Sequence, residues 1–173
     1  ALMFACARLG AILVPLNWRL APPELAYIAR NAGLHVLVAE TDFIRNAGAI
    51  RNAIPNCHMV ALEFLEEEWI PHEELLKAEG ADDSNPNVGM ETPLLIVYTS
   101  GTTGDPKGAV LTQEALFWNA LNSIHLHEMT GSDRILSVLP FFHVGPLNIQ
   151  TTPALYAGAE VVLSPRFDPG LTL

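Results

Sequence analysis

A chain of 173 residues, half of them apolar, is long enough to bury one sizeable core, and no apolar run approaches the roughly 20 residues that cross a bilayer. Nineteen acidic residues against nine Lys and Arg give a net charge of −10, which excludes a broad nucleic-acid surface and requires any anionic ligand to be held locally. Cys6 and Cys57, the two cysteines, are far apart with no Cys-x-x-Cys arrangement, which suits reduced structural thiols in a cytoplasmic protein better than a disulfide.

In chain order, Ala1-Leu-Met-Phe-Ala-Cys-Ala7 carries no initiating Met and reads as the end of a helix, with Arg8 breaking any likeness to a signal peptide and Gly10 as its cap. Ala11-Ile-Leu-Val14 predicts a buried strand stopped by Pro15. Pro22 and Pro23 suit the first turn of a helix in which Leu25, Ile28, Ala29 and Ala32 share a face and Gly33 is the stop. His35–Ala39 predicts the next strand. Thr41 is the expected cap of a helix faced by Phe43, Ala47, Ile50 and Ile54 and broken by Pro55. His58–Leu62 predicts another strand, and a small helix is expected from near Pro71 to Gly80. The acidic clusters Glu66–Glu68 and Glu73–Glu74 are solvated faces without metal-loop spacing. Residues 81–89 are polar and turn-forming, a linker between two parts of one domain.

The densest chemistry follows. The apolar run Leu94–Val97 predicts a buried strand that opens into Thr99-Ser-Gly-Thr-Thr-Gly-Asp-Pro-Lys-Gly108. Gly101, Gly104 and Gly108 allow a positive φ and a close backbone approach to a ligand. Thr99, Ser100, Thr102 and Thr103 add hydroxyls, and Lys107 adds a mobile point charge for phosphate oxygens. A Walker A loop is excluded, since Pro106 stands where its second glycine belongs and Lys107 is followed by Gly108 and a β-like run. A ligand-free glycine hairpin is the bland alternative, but four hydroxyls, three glycines and a lysine within ten residues exceed what turn chemistry needs.

Beyond the loop, Thr112 is the expected cap of a helix in which Leu116, Ala120 and Ile124 share a face, with Phe117 and Trp118 as core side chains. Gly131–Arg134 turns the chain and Ile135–Leu139 predicts a strand ended by Pro140. Phe141-Phe-His143 then lies at the strand end, where ligands of open α/β sheets gather. A helix from about Pro146 to Tyr156, stopped by Gly158, and a strand Glu160–Leu163 complete the pattern. His125 and His127, two apart on one helix, point different ways and do not suit joint metal binding. The alternation predicts an α/β fold, a layered and mostly parallel sheet with flanking helices.

The loop closely resembles the phosphate-binding signature of the adenylate-forming (AMP-binding) superfamily, which includes acyl-CoA synthetases, aryl-CoA ligases, amino-acid adenylation domains and luciferases. Further likeness lies in Arg8–Asn17 with Arg19–Tyr27, in Leu139-Pro-Phe-Phe-His-Val-Gly145, and in Tyr156–Leu163 with Phe167-Asp-Pro169, so it covers nearly the whole chain. The resemblance implies part of the large N-terminal domain of a fatty acyl-CoA synthetase, divided as residues 1–80, linker 81–93 and phosphate-loop part 94–173. It implies that ATP and a carboxylate, most simply a fatty acid, give an acyl-adenylate that coenzyme A converts to a thioester, with Mg²⁺ offsetting phosphate charge. By the same resemblance Thr99, Ser100, Gly101, Thr102, Thr103, Gly104, Lys107 and Gly108 hold the nucleotide, Thr99 approaches the magnesium, and Lys107 and His143 serve the reaction, His143 by shaping the acyl pocket.

Departures accompany the matches. Nothing resembles the family's Tyr-Gly-x-Thr-Glu segment, whose Glu helps hold Mg²⁺, or its Thr-Gly-Asp segment, whose Asp binds the ribose. Thr130-Gly-Ser-Asp133 has one residue too many and lies too early, and Gln113 stands where a histidine is common. The mobile C-terminal domain with its adenylation lysine is also missing, so the chain reads as a piece of a larger enzyme, inactive alone. An aryl-CoA ligase, an amino-acid-activating domain, a catalytically silent phosphate-binding module and a structural or interaction module that keeps the loop unused stay open, as does a homo-oligomer.

Overall fold

The computed structural model describes residues 1–78, 80, 85–99, 104–164 and 167–172. In chain order it comprises α1 (Leu2–Leu9), α2 (Pro22–Ala32), β1 (Val36–Glu40), a 3₁₀ turn (Thr41–Phe43), α3 (Ile44–Ala53), β2 (His58–Leu62), β3 (Ile70–Pro71) and α4 (His72–Leu75). Then come β4 (Pro93–Thr99), β5 (Lys107–Thr112), α5 (Gln113–His127), β6 (Arg134–Ser137), a π-helical turn (Gly145–Thr151), α6 (Thr152–Ala157), β7 (Glu160–Leu163) and α7 (Pro169–Thr172). These fall into two compact units, neither continuous in sequence: Ala1–Pro15 with Asn85–Val97 and Ala109–Leu173, and Leu16–Ser84 with Tyr98–Gly108. The fold is α/β with parallel pairing and flanking helices. No helix among the described residues is long and apolar enough to cross a membrane.

The second unit contains a parallel sheet ordered β1-β2-β3, with Val36 opposite His58 and Val60 opposite Ile70. Helix α2 starts on Pro22 and Pro23, where a missing N–H costs nothing, and the Glu24 carboxylate accepts the Ala21 N–H at 2.9 Å. Its apolar stripe presents Leu25 and Ala29 to Leu37 and Ala39 of β1, Ala47 and Ile50 of α3, and Met59 of β2. Each fully buried Leu or Ile of this cluster contributes about 1.5–3 kcal/mol. Along β2, Met59, Val60 and Ala61 are buried in succession, the pattern of a strand covered on both faces.

Local signals misplace three features here. Thr41 does not cap α3 with its side chain but enters the 3₁₀ turn, and α3 begins at Ile44. The small helix is a single turn, His72–Leu75. Ile70–Pro71 is an edge strand, where a proline without an N–H is tolerated.

The first unit buries Leu94, Leu95 and Val97 of β4 with Leu116 of α5, and packs Met3, Cys6 and Ala7 of α1 against them. The segment expected as a strand at 11–14 makes only a parallel bridge from Leu13 to Leu95 and is not fully buried. Carbonyls at the end of α1 find both local and distant partners. Cys6 O accepts from Gly10 and Ala11, Gln113 Nε2 donates to Ala7 O at 2.9 Å, and Asn85 Nδ2 donates to Leu9 O at 2.8 Å. Gln113 therefore has a structural task, and the Asn85–Gly89 part of the polar stretch is a bonded turn.

Thr112 caps α5 as expected, its Oγ1 accepting the Ala115 N–H at 3.1 Å. Trp118 is not core. Its side chain is exposed, donates from Nε1 to Glu114 and stacks edge-on to Phe117, which is half-buried against Tyr156. Strands β6 and β7 pair in parallel from Arg134–Glu160 to Ser137–Leu163, and β6 ends two residues earlier than expected because Ser164 N closes the ladder on Ser137 O. Both glutamate clusters are exposed, with Glu68 paired to Arg51.

Candidate functional site

On the second unit the loop starts at Thr99, the exposed last residue of β4, and re-enters the sheet at Lys107 and Gly108, the exposed first residues of β5. Ser100, Gly101, Thr102 and Thr103 lie outside the described residues. Gly104 takes φ +126°, a backbone that side chains disfavour, and a Cβ placed there would meet nothing within 4 Å, so its backbone faces open space. Gly108 differs from expectation, being strand backbone with no positive φ. Pro106 is half-buried between exposed Asp105 and Lys107. Among the described residues Lys107 is exposed and has no carboxylate partner.

At the root of the loop the Tyr98 hydroxyl donates to Asn31 Oδ1 at 2.5 Å. Burial, then the neighbouring Tyr27, hold the Tyr98 phenol above its ordinary range. This contact was not anticipated from the sequence, although Tyr27 and Asn31 stand four apart on α2, the spacing of one helix face.

On the first unit His143 is exposed after β6, its N–H donating to Pro140 O at 3.2 Å and its ring centroid 4.6 Å from that of buried Phe142. The π-helical turn comes next. A wide turn spoils the regular i−4 ladder, and side chains take up its carbonyls: Asn119 Nδ2 donates to Asn148 O at 2.5 Å, Ser123 Oγ to Ile149 O at 2.6 Å, and Thr152 Oγ1 to Leu147 O at 2.7 Å. Asn119 and Ser123, also four apart on α5, were missed because their partners lie far along the chain. Asp133 is occupied by its own turn, its carboxylate accepting the Thr130 N–H at 2.6 Å, so Thr130–Asp133 is a structural turn. His125 and His127 are exposed at the end of α5, and no group of three or more His, Cys, Asp or Glu among the described residues could hold a metal ion.

Compared with known proteins, the whole chain, residues 1–173, matches the family model of the AMP-binding enzymes. The chain belongs to the AMP-binding enzyme family. Among family members it is 54% identical over 173 residues to the indoleacetate–CoA ligase of Aromatoleum aromaticum, covering 99% of this chain and 34% of that protein. It is 34% identical over 170 residues to a long-chain-fatty-acid–CoA ligase of Mycobacterium tuberculosis, covering 96% of this chain and 32% of that one. The inhibitor-bound N-terminal domain of FACL13 from Mycobacterium tuberculosis superposes with a TM-score of 0.84 at 30% identity, over 99% of this chain and 42% of that one. The chain thus spans about a third of the length of the curated AMP-binding relatives it matches.

Proposed function

We propose that the whole protein is an AMP-forming acid–thiol ligase. The loop carries this proposal: four hydroxyls and three glycines stand in sequence from Thr99 to Gly108, Gly104 is open and Lys107 is exposed. Those donors fit a triphosphate, because preorganised N–H, O–H and ammonium groups stabilise phosphate charge without covalent chemistry. Thr99, Ser100, Gly101, Thr102, Thr103, Gly104 and Gly108 hold the phosphates, and Lys107 neutralises charge as a carboxylate oxygen attacks the α-phosphorus and pyrophosphate departs. The coenzyme A thiolate then attacks the acyl carbon and AMP leaves. Thr99 would be the residue to hold a Mg²⁺ ion, which would offset phosphate charge when bound. His143, exposed on its loop, lines the acyl pocket. The remaining nucleotide contacts and the C-terminal domain are proposed to lie in other parts of the whole protein.

For the acid, an aryl substrate of the indoleacetate kind is favoured over a fatty acid, since the relative named for indoleacetate is 54% identical and the one named for long-chain fatty acids 34%. The test is acid-dependent ATP–pyrophosphate exchange by the whole protein with indoleacetate and with a long-chain fatty acid. Exchange with indoleacetate is expected, and Lys107→Ala should lower kcat/KM about 100-fold, the scale of losing one oxyanion-type donor. Preference for the fatty acid overturns the aryl assignment alone. Binding of Mg·ATP without exchange with either acid overturns the ligase, and absence of Mg·ATP and pyrophosphate binding makes the loop scaffold.

A further inference from the structure

We infer that Tyr98 and Asn31 form a strut that sets the position of the phosphate loop, Tyr98 being a positioning residue for ATP. This rests on the ligase proposal and goes beyond it. Tyr98–Gly108 belongs to the same compact unit as Leu16–Ser84, whereas β4 up to Val97 and β5 from Ala109 belong to the other. Something must fix the loop segment to the body of its own unit. Among the described residues, the side-chain hydrogen bond that does so is the one from Tyr98 Oη to Asn31 Oδ1, at 2.5 Å.

The acceptor sits on firm ground. Asn31 occupies the last turn of α2, a helix anchored by Leu25, Ile28 and Ala29, each no more than 1% exposed. The donor is next to Thr99, the first hydroxyl of the loop, so a displaced Tyr98 displaces Thr99. Phosphate stabilisation depends on donors held to within about 0.5 Å of the productive position, and a tether at the root of the loop serves that demand. Asn31 is exposed, so its oxygen regains water when the donor is removed, and losing the bond should alter placement more than stability.

The experiment compares the whole protein with Tyr98→Phe, Asn31→Leu, the double variant and Asn31→Asp in acid-dependent pyrophosphate exchange, with thermal unfolding alongside. Tyr98→Phe and Asn31→Leu should each raise KM for Mg·ATP about three- to tenfold, the range of one net hydrogen bond, with KM for the acid and the unfolding midpoint unchanged. The double variant should show no further rise, and Asn31→Asp, which keeps an Oδ1 acceptor, should restore the parent value to within about twofold. A parent protein that exchanges while both single variants keep its KM for ATP overturns the strut alone. Equal effects on acid and ATP, or a lowered midpoint that accounts for the loss, also overturn it. A parent that neither binds Mg·ATP nor exchanges overturns the ligase and the strut together.

Discussion

Gly10 is required twice over. It ends α1 at φ +74°, and a Cβ there would lie 2.9 Å from Val88 Cγ2 and 3.1 Å from Asn85 Nδ2. Gly10→Ala therefore adds a clash to left-handed strain and pushes on the very amide that satisfies Leu9 O. A loss of about 2–3 kcal/mol is expected in urea denaturation of the whole protein. The cap itself was legible in the sequence, since a glycine after a helical run is a local signal. The clash was not, because Val88 and Asn85 reach Gly10 only in the folded chain. Gln113 teaches the same lesson. Next to the loop it reads as a departure from the family pattern, and its task, a bond to Ala7 O, is visible only in three dimensions.

At the scale of elements, legibility followed the range of the forces involved. Helix α2, with prolines at its start, a periodic stripe and a glycine at its end, is written within a dozen residues. So is the Thr112 cap, and Thr112→Ala should cost about 1 kcal/mol, read as a lowered urea midpoint with unchanged slope. The π-helical turn is different. Helical content is evident from the sequence around Pro153, but the widening depends on Asn119 and Ser123, which lie 29 and 26 residues from the carbonyls they hold. For the same reason 11–14 looked like a full strand: its apolar run is local, while its pairing is limited to one bridge with Leu95. The loop proposed to bind phosphate rests on adjacent residues, Thr99 to Gly108, whereas His143 had only its motif and strand-end position.

At the scale of the molecule, acidity and burial set how stability responds to pH. Burial pushes the Cys6 and Cys57 thiols up, partly offset by backbone hydrogen bonds. On unfolding these thiols return to the ordinary range and ionise first as pH rises, so the unfolded state holds fewer protons there. Their contribution is full below the ordinary thiol range and is lost as pH climbs through the raised values. The urea midpoint should fall on the alkaline side, and Cys57→Ala should flatten that decline. An unchanged pH slope in the variant would show that Cys57 is not a source of it.

The ties at the end of α1 also bear on the order in which the chain assembles. The bond to Ala7 O closes a loop of 106 residues and that to Leu9 O one of 76, whereas the cluster from Leu25 to Met59 draws on one short contiguous stretch. Closure entropy rises by about 0.6 kcal/mol per doubling of loop length, so the short-range cluster has the kinetic advantage. During synthesis α1 emerges before Asn85 and Gln113, so Ala7 O and Leu9 O lack these partners until they follow. Pulse-labelled hydrogen exchange during refolding should accordingly protect amides of α2, β1, α3 and β2 before the Leu13 amide. A nascent chain halted short of Gln113 should expose a helix end that chaperones can read as unfinished.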